Sequence, residues 1–170
     1  SVAAPGIISA RGDTQAGIVP MKEELRRAAR ICSKSKEAVT AMFQEARMGK
    51  AIQLEEVGSL VDDINQSITR NPEAFLSLSR LKTKDNYTYL HSVAVCALMI
   101  ALGKQMGMEE SILRDQGMAG LLHDVGKMMI PDEVLNKPGK LTDDEFTTVQ
   151  NHPLRGWEIL KGSEGVCEMA

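Results

Sequence analysis

The chemistry available to this chain is concentrated in Leu121-Leu122-His123-Asp124-Val125-Gly126-Lys127, where an apolar helical run ends on an imidazole and a carboxylate in consecutive positions. Both side chains ligate divalent metals, and a carboxylate, having two oxygens, can bridge a pair of ions. Neighbours on a continuing helix point about 100° apart, so the pair is expected to serve two coordination directions rather than one chelate. Lys127 lies three residues past Asp124, one turn along if the helix continues, where its ammonium reaches a phosphate held at the metals. A His-Asp pair by itself is more often a helix cap or a surface feature. The case for a metal therefore needs the other two histidines, His91 and His152.

Bulk properties narrow the setting. A chain of 170 residues with 43% hydrophobic content suits one soluble domain, or one domain with a helical extension. Its longest apolar run, Val93 to Leu102, is half of the ~20 residues that a membrane span needs. That length and the absence of a leader-like opening are read as a cytoplasmic protein. Cys32, Cys96 and Cys167 are odd in number and far apart, as expected of reduced thiols. A net charge of -3 argues against a partner that is a nucleic-acid polymer, because such binding draws on Lys and Arg. An anionic substrate needs local positive charge, which metals supply.

The elements that must position the histidines are helices. Residues 1–20 carry no apolar period and are read as a flexible tail or linker. From Met21 to Met48 the positions Leu25, Ala28, Cys32, Ser35, Val39, Met42 and Ala46 alternate three and four apart, predicting a long helix with one narrow seam. Leu54, Val57, Val61, Ile64 and Ile68 repeat the spacing after Gly49, so the two helices are expected to form an antiparallel hairpin. Its blander role is packing support; its sharper one is a homodimer or signal-transmitting coil. Asn71-Pro72 starts a short helix, and Asp85 or Asn86 caps the next. Residues 21–83 thus form N-terminal helices ahead of a second region, 84–170.

In that second region Leu90 to Leu102 is apolar on every face, which predicts a central, buried helix, with His91 in its first turns. Gly117 and Gly120 share a face with Asp124 and predict close approach of a neighbour, the His91 helix being the natural one. Asn136-Lys137-Pro138-Gly139-Lys140 is a turn that carries two lysines toward the metal end. Thr142 and Glu145 form a capping box. His152 precedes Pro153, which is expected to push it out of the helical region into a junction between helices. Gly162 closes the helix that follows, and Ser163 caps one more. His91, His123 and His152 each fall where such a fold can bring them together around Asp124.

The order His91, His123-Asp124-Val125-Gly126-Lys127, Asn136-Lys137-Pro138-Gly139-Lys140-Leu141-Thr142 with Glu145, then His152-Pro153 and Gly156, resembles the HD superfamily of metal phosphohydrolases. It is most similar to the HD-GYP branch, the cyclic di-GMP phosphodiesterases, from about Asp85 onward. The resemblance implies an all-α fold, an HD-domain helical bundle preceded here by the hairpin. It also implies two divalent ions, iron or manganese: His91, His123 and Asp124 on one, Asp124 bridging, and His152 on the second. Lys127 matches a lysine on the substrate phosphate, and Lys137 is a second substrate-binding candidate. The implied reaction is hydrolysis of a cyclic dinucleotide phosphodiester by water activated at the metals.

Two departures accompany the match. Relatives with a third metal carry Glu four residues before the first histidine; Tyr87 stands there in this chain, favouring a two-metal site. The motif that names the branch is expected shortly after residue 170, together with the remaining ligands, so the chain is read as the front half of a catalytic domain. The competing readings are a degenerate HD signalling or binding module, and an HD phosphohydrolase acting on another nucleotide.

Overall fold

The computed structural model describes residues 19–79 and 87–163. The expected tail up to residue 18, the Asp85 or Asn86 cap and the closing helix after Ser163 lie outside the described residues. Among the described residues the fold is all-α, and no helix is long and apolar enough to cross a membrane.

The first three helices, α1 (Met21–Arg47), α2 (Leu54–Arg70) and α3 (Pro72–Ser79), stand where the spacing predicts. Ala28, Cys32, Ser35, Val39, Met42 and Ala46 of the seam are all buried. Pairing of Lys34 with Asp63 at 3.0 Å and of Glu24 with Arg70 at 2.7 Å fixes α1 and α2 as antiparallel. The seam is consumed within the chain, since α2, α3 and α4 all pack on α1. Gly49 closes α1 at φ +79°, its N–H donating to Ala46 O while that of Lys50 donates to Glu45 O. Asn71 caps α3 as predicted, its Oδ1 accepting from Ala74 N at 3.2 Å.

Helices α4 (Tyr87–Gln105) and α5 (Glu110–Leu122) make the most extensive helix pair. Glycine allows it: a Cβ on Gly120 would stand 3.1 Å from Cys96 Cα of α4, and one on Gly117 2.6 Å from Val61 of α2 and 3.1 Å from Ile100. Helix α4 departs from expectation in one respect. Val93, Cys96, Ala97 and Ile100 are buried, but Leu98 and Leu102 are 49% and 63% exposed. An apolar composition on all faces established that residues 90–102 lack Asp, Glu, Lys and Arg, not that every face finds a neighbour.

After α5 the chain leaves helical geometry at Asp124 (φ -104°, ψ 7°), makes a 3₁₀ turn over Val125–Met129, and continues as α6 (Asp132–Leu135), α7 (Asp143–Gln150) and α8 (His152–Leu160). The Thr142–Glu145 capping box forms reciprocally. His152 opens α8 rather than standing outside it, with Pro153 in the first turn, so the junction is present but compressed to Asn151. A core cluster runs from Ala28 to Met128, with Ile159 and Leu160 of α8 at its edge. Ser163 is buried, and its Oγ accepts from Ile52 N at 3.1 Å, tying the end of α8 to the α1–α2 loop.

Candidate metal centre

Three histidines that are distant in sequence meet at one carboxylate. Asp124 follows the C-terminus of α5 and is 2% exposed. Its Oδ2 lies 3.2 Å from His123 Nε2 and 3.8 Å from His91 Nε2, while Oδ1 lies 3.4 Å from His152 Nε2. The two oxygens therefore face different histidines. The rings of His91 and His123 stand edge to face with centroids 5.3 Å apart. The ligand atoms of His91, His123 and Asp124 all lie within 4.8 Å of one another, a spacing that suits one cation.

Consecutive His123 and Asp124 converge instead of diverging by the helical angle, because α5 ends at Leu122 and, past the capping His123, Asp124 adopts different backbone angles. Two imidazoles are oriented by main chain. His123 Nδ1 donates to Gly120 O at 2.8 Å, and His152 Nδ1 donates to Val149 O at 2.8 Å. With the proton fixed on Nδ1, Nε2 is the ring atom turned toward Asp124 in each, and it can ligate a metal once it carries no proton. Sequence reading missed these two carbonyls. Their signal was the shared offset of three residues back from a histidine at a helix end, where carbonyls lack intrahelical partners.

The electrostatics suit a cation. Burial by itself raises the Asp124 carboxyl, but hydrogen bonds from His123 and Lys127 outweigh it and hold the group well below the usual carboxylate range. Asp124 is therefore an anion at neutral pH. Burial lowers His91 despite the opposing charge of Asp124, keeping that ring neutral. His123 is raised, chiefly by its hydrogen bond to Asp124. A proton on His123 Nε2 and a divalent cation would compete for that position.

Lys127 Nζ reaches Asp124 Oδ2 at 2.7 Å across the 3₁₀ turn, so the predicted lysine stands at the centre. Lys137 is placed differently: its Nζ donates to Glu145 Oε2 at 2.6 Å, fastening the α6–α7 turn to the capping residue. Positioning of His152 depends on a contact that sequence reading did not single out. A Cβ on Gly126 would stand 2.5 Å from Gly156 N and closer still to the His152 carbonyl oxygen. Backbone thus lies directly on backbone where α8 docks beside Asp124.

Comparison with known proteins agrees with this geometry. Residues 64–170 match the model of the HD domain, and residues 8–57 match a domain of unknown function, DUF3391. The chain is 56% identical over 142 residues to a cyclic di-GMP phosphodiesterase of Pseudomonas aeruginosa, covering 84% of this chain and 34% of that protein. It is 38% identical over 118 residues to a cyclic di-GMP phosphodiesterase response regulator of Xanthomonas campestris pv. campestris, covering 68% and 30% respectively. A 3'3'-cGAMP-specific phosphodiesterase of Vibrio cholerae is 34% identical over 100 residues, or 57% of this chain and 23% of that protein. The chain spans about a third of the length of the first two relatives. No solved structure matches it. With the His-Asp pair, the converging histidines and the matched residues in agreement, the chain belongs to the HD-domain family.

Proposed function

We propose that this chain carries part of the metal centre of an HD-GYP phosphodiesterase that hydrolyses a cyclic dinucleotide, cyclic di-GMP first among them. The observation that carries the reading is the meeting of three imidazole Nε2 atoms, from α4, the end of α5 and the start of α8, at the two oxygens of one buried carboxylate. The donor set of nitrogen and carboxylate oxygen fits iron or manganese. His91, His123 and Asp124 Oδ2 would hold one ion, and Asp124 Oδ1 with His152 would begin a second site. Bound there, such ions lower the pKa of water and neutralise charge on a phosphoryl group.

The chain's own residues do the rest. The buried Asp124 anion fixes positive charge at the centre, and the carbonyls of Gly120 and Val149 hold two rings in the ligating tautomer. Lys127 is the ammonium at that carboxylate and supplies a contact for a substrate phosphate. Lys137 enters as a second phosphate contact only if its bond to Glu145 is exchanged. Residues 21–83 serve as the support on which 84–170 is built, sharing one core with it.

The test is hydrolysis by a longer protein that includes the region following these residues, loaded with iron(II) or manganese(II) and given cyclic di-GMP and 3'3'-cGAMP. Turnover is expected, and Asp124→Asn should lower it by at least about 10³-fold. A folded, metal-loaded protein that hydrolyses neither compound refutes the proposal. Hydrolysis of 3'3'-cGAMP alone moves it to that substrate.

A further inference from the structure

Away from the metal centre, a cavity of about 340 Å³ opens on the seam where the end of α1 meets the 3₁₀ segment and α8. Such a volume is at the small end of ligand pockets. Met129 and Ile159 give it an apolar side, while Arg47, Lys50 and Arg155 bring three cations to its lining. Each cation has a partner: Arg47 with Asp132 at 3.2 Å, Lys50 with Glu45 at 3.1 Å, Arg155 with Glu158 at 2.9 Å. All six of these side chains are at least 42% exposed, so the pairs contribute little and exchange readily for a stronger anion. Nor does the C-terminus of α1 repel one. The Gln44, Glu45 and Ala46 carbonyls already accept from the N–H groups of Met48, Lys50 and Gly49.

We infer that this cavity binds a phosphate-bearing ligand of about mononucleotide size, with Arg47, Lys50 and Arg155 on the phosphate and a flat apolar body against Met129 and Ile159. Arginine forks pair with phosphate oxygens two at a time, and a thioether adapts to a ring face. The site reaches the metal centre mechanically. Arg47 and Lys50 belong to the α1 end, whereas Arg155 and Ile159 belong to α8, whose first residue is His152. Side chains of α6 and α7 are not buried, and α8 buries only Gly156. A ligand bridging the seam ties α8 to α1 and steadies His152 beside Asp124, which makes the cavity an effector site.

The experiment is calorimetric titration of the 170-residue chain in EDTA, which removes metals as a competing phosphate site. The probes are inorganic phosphate, guanosine monophosphate and guanosine. The monophosphate should bind more tightly than phosphate, and guanosine not measurably. Arg47→Ala with Arg155→Ala should weaken binding at least tenfold, and Lys50→Ala alone severalfold, with helical circular dichroism unchanged. Lys127→Ala should leave binding as it is. Hydrogen exchange of amides 152–160 should slow on addition of the monophosphate. No saturable binding, binding insensitive to the arginines, or binding abolished by Lys127→Ala would overturn the inference. Equal affinity for phosphate and monophosphate overturns the apolar half of the site.

Discussion

The contact between Gly126 and α8 makes a quantitative prediction for Gly126→Ala. A Cβ at that position would stand 2.5 Å from Gly156 N and 2.9 Å from the His152 carbonyl carbon, against an ordinary contact of 3.4–4 Å. The nearest obstructing atoms, the His152 carbonyl oxygen first, are all main chain, so no side-chain rotation relieves the overlap and α8 must retreat by roughly 1.5 Å. Overpacking costs about 1–3 kcal/mol, and the absence of a flexible neighbour puts this case near the upper end. For a domain of this size about 3 kcal/mol lowers Tm by roughly 6–12 °C. The same retreat carries His152 away from Asp124 Oδ1, now 3.4 Å from its Nε2. Thermal unfolding of the variant, paired with manganese titration, reads both effects. Gly162→Ala is the control, since its Cβ meets only Ile159 O at 3.7 Å. A Gly126→Ala protein melting within about 1 °C of the parent, with unchanged metal affinities, would refute the claim that this contact positions His152.

Three further outcomes follow from other parts of the molecule. Titrated with manganese, the chain should bind one ion more tightly than a second; His152→Ala should remove only the weaker event, and His91→Ala should weaken the tighter one. Glu24, buried, is lowered overall because hydrogen bonds from Arg70 and Ser67 outweigh the rise due to burial. Its contribution to stability is present above the unfolded carboxylate pKa and lost as pH falls through the lower folded value. Glu24→Gln should therefore cost about 3 kcal/mol at pH 7 in urea unfolding, with the gap to the parent narrowing in acid. A constant gap between pH 7 and about pH 3 would contradict this. Burial pushes the Cys96 thiol up to about 12. Cys96 should resist iodoacetamide in the native chain at pH 8 and react once urea is added, as peptide mass mapping will show.

The residues that end and start helices were the most legible. Asn71-Pro72 and the Thr142–Glu145 box act through local geometry, and the structure places each in its expected part. The cluster of histidines around Asp124 was legible because the chain has three histidines and all three served one reading. Less legible was anything set by a partner distant in sequence. Glu24 sits in the first turn of α1, where an acidic residue normally faces solvent, yet Arg70 and Ser67 of α2 enclose it. Gly126 and Gly156 lie thirty residues apart, and only the docking of α8 shows that Gly126 has no room for a side chain, whereas a Cβ on Gly156 would meet nothing nearer than Gly126 N at 3.4 Å. Leu98 and Leu102 show the converse, since apolar character does not say which surface covers it.

The Nδ1 bonds of His123 and His152 have a consequence for how this centre tolerates change. Both rings are aimed by carbonyls three residues upstream, at Gly120 and Val149, and a carbonyl persists whichever amino acid occupies the position. Drift in surrounding side chains therefore leaves the aim of these imidazoles intact. What can turn them is a change in where α5 or α7 stops, through an insertion, a deletion or a shifted cap, so the centre's fragility is one of chain length and helix ending more than of residue identity.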